Sequence, residues 1–142
     1  MRFKTWMDVD AAGYVEGPLY RIDTIVFNIY IDRDGKTCMD DADFWYNERL
    51  DLWAHPFDCF FTDLDEARLY CKAFTPKMAD WTLRTCNDQR YENVAVDIIE
   101  MYRWYDEWAP GYAVSTYDFL EGGRYEEWHD NDVADKGLEC KV

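Results

Sequence analysis

Carboxylates are the side chains of this sequence whose number and spacing could do chemistry. Asp40, Asp41, Asp43, Asp63, Asp65 and Glu66 fall in one dense segment, and Asp97, Glu100, Asp106, Glu107, Glu126, Glu127 and Asp130 fall in another, with Trp128 set among the last of them. Residues 40–66 hold nine Asp/Glu against one Lys/Arg, and residues 91–135 hold twelve against two. The stretch between them, 67–90, holds five Lys/Arg against two Asp/Glu, so two acidic blocks flank a basic one. The 142 residues together carry a formal net charge of −15. Colloidal stability of a small domain asks for a magnitude of only about 2–8, and charge beyond that destabilises the compact state by self-repulsion. Carboxylates massed in this way attract a cationic surface.

Bond-making chemistry finds little support. Paired carboxylates are so abundant that no pair stands out as a general acid and base, since the fold could set any two at a hydrolase spacing. Ser115 is the sole serine, no GxSxG surrounds it, and the histidines are His55 and His129 alone, which argues against a Ser/His triad. A Cys/His pair stays open, because such partners meet in space and not along the chain. Phosphate-cradling loops of the GxxxxGK[ST] or GxGxxG kind are absent. The segment from Tyr30 to Asp41 sets Asp32, Asp34 and Gly35 at the third, fifth and sixth positions of a calcium loop. Tyr30 occupies its first ligand position and Asp41 its twelfth, where a long bidentate Glu is needed, so an Asp-Gly hairpin is the better reading. His55, Cys59, Cys71 and Cys38 lack the close ligand pairs of a structural zinc site and read as buried thiols and a histidine before proline. The chain is therefore expected to need no cofactor or metal and not to be an enzyme.

What remains is recognition. A helix over residues 91–108 would set Asp97, Glu100 and Glu107 near one another on a face, neighbours three or four residues apart standing roughly 5–6 Å apart at Cβ. DNA presents a phosphate about every 3.4 Å of axis on each strand, and its binding proteins meet those phosphates with rows of Lys and Arg. Carboxylates held at intervals of several ångströms compete for such rows. The run from Tyr125 to Asp130 adds rings beside its charges, and aromatic rings stack on arginine. The expected partner is a protein with a basic, nucleic-acid-binding groove, and the expected function is that of an inhibitor or nucleic-acid mimic acting on a nuclease, restriction enzyme or CRISPR effector. In composition the chain is similar to phage- and plasmid-encoded anti-restriction and anti-CRISPR inhibitors, a likeness that carries over no particular residue. An acidic interaction subunit with some other basic partner is the alternative, followed by a small enzyme using an unidentified carboxylate pair. Halophilic acidity and sugar binding are weaker readings: five cysteines and 26 aromatic residues speak against the first, and the missing leader peptide against an extracellular lectin.

These groups need a scaffold to position them. Residues 21–32 alternate Ile25, Phe27, Ile29 and Ile31 and read as a strand returned by Asp34-Gly35 through residues 36–39. Residues 2–9 alternate Phe3, Thr5, Met7 and Val9 and read as its partner. Tyr112–Leu120 and Arg124–His129 flank Gly122-Gly123 as a second hairpin. Between the hairpins the period lengthens. Thr62 is read as the cap of a helix of three turns through Phe74, Thr75-Pro76 as the start of a second through Trp81 or Cys86, and 91–108 as a third ending at Ala109-Pro110-Gly111. Residues 41–54 are a weaker helical candidate. The expected class is α+β, an antiparallel sheet from N- and C-terminal hairpins with three or four helices inserted between them and packed on one face.

Composition sets the bounds. One domain covering residues 1–142 is expected, with the last ten or so residues frayed. Apolar residues at 49% and aromatics at 18% exclude a disordered acidic tail. No leader peptide is expected from the first residues, no run of about 18 apolar residues occurs in the sequence, and five widely spaced cysteines suit reduced thiols. A cytoplasmic location is expected, in the host cytoplasm if the chain is phage-encoded. Direct binding to nucleic acid or to an anionic membrane is opposed by the charge.

Overall fold

The computed structural model describes residues 1–42, 46–47, 52–53, 58–85 and 92–129. Its elements are β1 (Arg2–Phe3), α1 (Trp6–Ala11), β2 (Leu19–Ile31), β3 (Thr37–Ala42), β4 (Tyr46–Asn47), β5 (Leu52–Trp53), β6 (Phe60–Phe61), α2 (Leu64–Thr85), β7 (Asn93–Trp104), β8 (Glu107–Leu120) and β9 (Arg124–His129). Seven strands form one antiparallel sheet in the order β1-β6-β2-β7-β8-β9, with β3 also paired to β2, while β4 and β5 pair separately. The class is mixed α and β, as expected. Among the described residues there are two α-helices, fewer than the three or four the sequence suggested.

The largest difference lies in the second acidic block. Residues 91–108 do not form a helix: β7 takes Asn93–Trp104 and turns through Tyr105 and Asp106 into β8. Val94, Val96 and Ile98 are fully buried at every second position, and β-branched residues lose less on a pleated surface than against a helical turn. The apolar stripe at helical spacing was real but subordinate, since the same residues also satisfy a period of two. Pro110-Gly111 is not a helix stop. It falls within β8 where the register with β7 shifts, the kind of irregularity that tolerates a missing N–H. A Cβ added at Gly111 would lie 2.8 Å from the Glu100 carbonyl oxygen, which explains the glycine.

Three further corrections concern caps. Residues 2–9 are only briefly a strand, because Thr5 Oγ1 accepts from Asp8 N–H while Asp8 Oδ2 accepts from Thr5 N–H, a capping box that starts α1. Asp63 and not Thr62 caps α2: its Oδ2 accepts from Glu66 N–H and its carbonyl from Ala67 N–H. Thr75-Pro76 does not restart a helix either, for α2 runs unbroken from Leu64 to Thr85 with Pro76 inside it. Packing overrides the lost hydrogen bond there, with Thr75, Met78, Ala79 and Thr82 all fully buried. In the weak helical candidate of 41–54, β3, β4 and β5 occupy the described positions. The expected fraying at the C-terminus falls on residues outside the described ones.

The two faces of the sheet carry different cores. Tyr20, Ile22 and Val26 of β2 face α2 with Val94, Val96, Ile98, Val114 and Tyr117, enclosing Cys59, Phe61, Ala67, Cys71, Met78 and Ala79. Leu19 and Phe60, of opposite parity, pack on the reverse face with Phe3, Val9 of α1 and Met101. The helices therefore take opposite faces, which departs from the expectation of one covered face. A third cluster, Phe27, Ala95 and Leu120, lies further along the strands. Both hairpins expected from Asp-Gly and Gly-Gly are present, the second turning through Gly122 and Gly123 at φ 81° each, a left-handed conformation glycine adopts without strain.

Candidate acidic docking surface

At one end of the molecule the two acidic blocks meet. Asp63 at the cap and Asp65 and Glu66 in the first turn of α2 are exposed, where carboxylates complement the helix dipole. The N-terminal ammonium of Met1 lies 3.0 Å from Glu66 Oε2 and donates to Thr62 Oγ1 at 3.0 Å. Glu100, from the second block, stands opposite Tyr20 in the β2–β7 ladder. Burial raises the Tyr20 phenol above its ordinary pKa, and the charges of Glu100 and then Asp63 raise it further, so both acids bear on the same ring. Beyond them, Asp106 and Glu107 are exposed at the β7–β8 turn. Asp63 and Glu100 thus bear on one side chain, and Asp106 and Glu107 follow further along the β7–β8 hairpin.

Asp97 does not join them. In a strand, a separation of three residues places Asp97 and Glu100 on opposite faces, so the helical pairing expected for them is lost. Asp97 lies on the reverse face, in register with Asp23 on β2 and Thr116 on β8, and accepts the Thr116 hydroxyl at 2.8 Å. Asp118 and Glu126 pair one step along, and Asp58 accepts from Thr24 Oγ1 at 3.1 Å. Burial, reinforced by Asp23, pushes Asp58 up to about 8. Burial likewise pushes Asp97 up to about 6 against the lowering hydrogen bond from Thr116, and raises Asp118. Arg21 sits 3.6 Å from Asp23. Asp23, Asp58 and Asp118 were not singled out in the sequence, although Asp23 and Asp118 each alternate with apolar neighbours in segments read as strands.

The remaining candidates are dispersed. Asp40 and Asp41 lie in β3, opposite Asn28 and Phe27, while Asp43 and Asp130 fall outside the described residues. Glu126 is 3.7 Å from Arg124, and Glu127 accepts the Tyr125 hydroxyl at 2.7 Å. Trp128 stands opposite Thr116 and bonds the half-buried Asp118, which lowers that carboxyl against its burial.

Tertiary structure also brings together what the sequence left apart: Ser115 Oγ lies 2.9 Å from His129 Nδ1, and His129 Nε2 lies 3.7 Å from Glu127 Oε2. Arg68 Nε donates to the same serine oxygen at 3.0 Å. Ser115 is only 2% exposed. The arrangement ties α2 to β8 and β9 as a partly buried polar network.

Among the described residues, no group of three or more His, Cys, Asp or Glu side chains is placed to hold a metal ion. The Asp32 carboxylate accepts from the Lys36 and Asp34 N–H groups at 2.9 Å each, closing the β2–β3 turn. Cys38, Cys59 and Cys71 are free thiols; burial pushes Cys59 up to about 11 and raises Cys71 further, which keeps both from reacting as thiolates. His55, the other member of that set, lies outside the described residues. No helix among the described residues is long and apolar enough to cross a membrane. Comparison with family models, with curated proteins and with solved structures returns no match, so the functional reading rests on the chemistry of this chain.

Proposed function

We propose that this protein is an inhibitor that presents carboxylates in place of phosphates to the basic groove of a nucleic-acid-processing enzyme, of the anti-restriction or anti-CRISPR kind. The observation that supports it is the meeting of the two acidic blocks at the end of the sheet where α2 begins. Asp63, Asp65, Glu66, Glu100, Asp106 and Glu107 come from two segments of the chain, and Arg103 is the cation set among the last three. Such a surface steers a cationic partner to it over a distance set by the Debye length, about 10 Å at 0.1 M salt. It repels nucleic acid for the same reason, and so acts on the enzyme and not on the DNA. In this reading the protein works in the cytoplasm, where such enzymes meet their substrates.

A panel of purified restriction endonucleases and CRISPR nucleases tests the reading. Inhibition of DNA cleavage is expected to titrate with enzyme and to weaken between about 50 and 200 mM salt, as competition for a phosphate site requires. Absence of inhibition across the panel, or protection that tracks the amount of DNA instead, refutes it.

A further inference from the structure

The β7–β8 hairpin ends in aromatic rings that the core does not use. Tyr102, Trp104, Tyr105 and Tyr112 are 49%, 61%, 86% and 69% exposed, and exposed rings are costly to solvate unless something covers them in function. Trp104 and Tyr105 stand edge to face, with centroids 5.3 Å apart. Tyr105 is the one non-glycine residue with positive φ, at 55°, among those described. A left-handed conformation is strained for a residue with a Cβ, and an asparagine or glycine would relieve it. The most exposed aromatic ring among the described residues thus sits in a strained turn.

Charge on the hairpin says what would cover the rings. Glu100, Tyr102 and Trp104 repeat at every second residue and so share a strand face, Glu107 pairs directly with Trp104, and Asp106 sits in the turn. Carboxylates interleaved with aromatic faces suit a cation that is also flat. Arginine meets both demands, because its guanidinium forks onto a carboxylate and stacks on a ring, whereas the lysine ammonium is compact and strongly hydrated. The hairpin already makes one such contact: the Arg103 guanidinium lies 5.7 Å over Trp108. Trp108 stacks on Tyr14 at 6.0 Å and 9°, and Tyr14 packs on Phe3 at 5.9 Å, so the hairpin is fixed to the reverse-face core one pair behind its turn. A rigid base spares the partner the cost of ordering it.

We infer that the end of this hairpin is an arginine-reading anchor, in which Trp104, Tyr105, Tyr102 and Tyr112 stack on guanidinium groups of an arginine-rich protein surface while Asp106, Glu107 and Glu100 pair with them. The inference rests on the reading of the acidic surface as a ligand for basic grooves, and it adds that the groove must present arginine and not lysine.

Binding of an arginine decamer and a lysine decamer, of equal charge, tests it by calorimetry on the full chain. The arginine peptide is expected to bind about tenfold tighter, the change that one good stacking contact supports. Trp104→Ala combined with Tyr105→Ala is expected to abolish that preference while leaving lysine-decamer affinity in place, and both side chains are exposed enough for the fold to survive their removal. Asp106→Asn with Glu107→Gln is expected to weaken both peptides. Equal affinity for the two peptides, or a preference that survives in the aromatic variant, overturns the anchor but leaves the basic-groove reading standing. Failure of both peptides to bind overturns both readings.

Discussion

Replacing Asp58 with Asn isolates one of the costs this fold carries. Burial, with the Asp23 charge beside it, lifts Asp58 from its ordinary 3.8 to about 8. Because the folded-state value lies above the unfolded one, the proton is held more tightly in the folded state. Stability is then fully present below about pH 4 and is lost as pH rises through 8. At about 1.4 kcal/mol per pH unit, the loss across that window is on the order of 5 kcal/mol, comparable with the 5–15 kcal/mol that holds a whole domain together. Asp97, held at about 6, loses about 3 kcal/mol between pH 4 and 6 by the same rule. Asn at position 58 keeps a carbonyl oxygen to accept the Thr24 hydroxyl, now at 3.1 Å, and cannot ionise. Urea denaturation of the parent and of Asp58→Asn at pH 4, 6 and 8 measures the difference, in which titrating groups not coupled to Asp58 cancel. The variant is expected to match the parent at pH 4 and to exceed it by several kcal/mol at pH 8. Parallel stability profiles would show that Asp58 ionises freely in the folded state and would refute the reasoning.

Other substitutions probe the backbone. Pro76→Ala should restore a missing donor in the interior of α2 and raise stability by about 1–3 kcal/mol, seen as a higher urea midpoint with an unchanged slope. Gly111→Ala brings a Cβ within 2.8 Å of the Glu100 carbonyl and is expected to lower the thermal midpoint, at a cost of about 1–3 kcal/mol from overpacking. Tyr105→Asn relieves the left-handed turn and should stabilise by up to about 1 kcal/mol; a drop in thermal midpoint would show that the ring contributes more by packing on Trp104 than its backbone costs.

Much of the sheet was legible in the chain because its signals are local. The period-two run from Ile25 to Ile31, the Asp34-Gly35 turn and the Gly122-Gly123 turn each depend on a handful of neighbouring residues, and each is found where read. The first turn of α2, with its acids, was legible for the same reason. Residues 91–108 were not, since Val94, Ile98 and Tyr102 fit a period near 3.6 as well as a period of two, and only the strands on either side decide between them. The Thr75-Pro76 signal misled because a cap motif is weaker than burial of Thr75, Met78 and Thr82 against the sheet.

The sequence by itself determined the excess of charge, its division into two blocks and the aromatic content that makes the chain fold despite that charge. Tertiary structure alone decided which carboxylates share a surface. Strand pairing sends neighbours three apart to opposite faces, so Glu100 joins Asp63 and the hairpin turn while Asp97 is half-buried beside Asp23. Pairing also set Ser115 against His129, a contact that the register of the second hairpin decides. Charge is a property of composition, but the field a partner meets depends on which side chains the register turns outward.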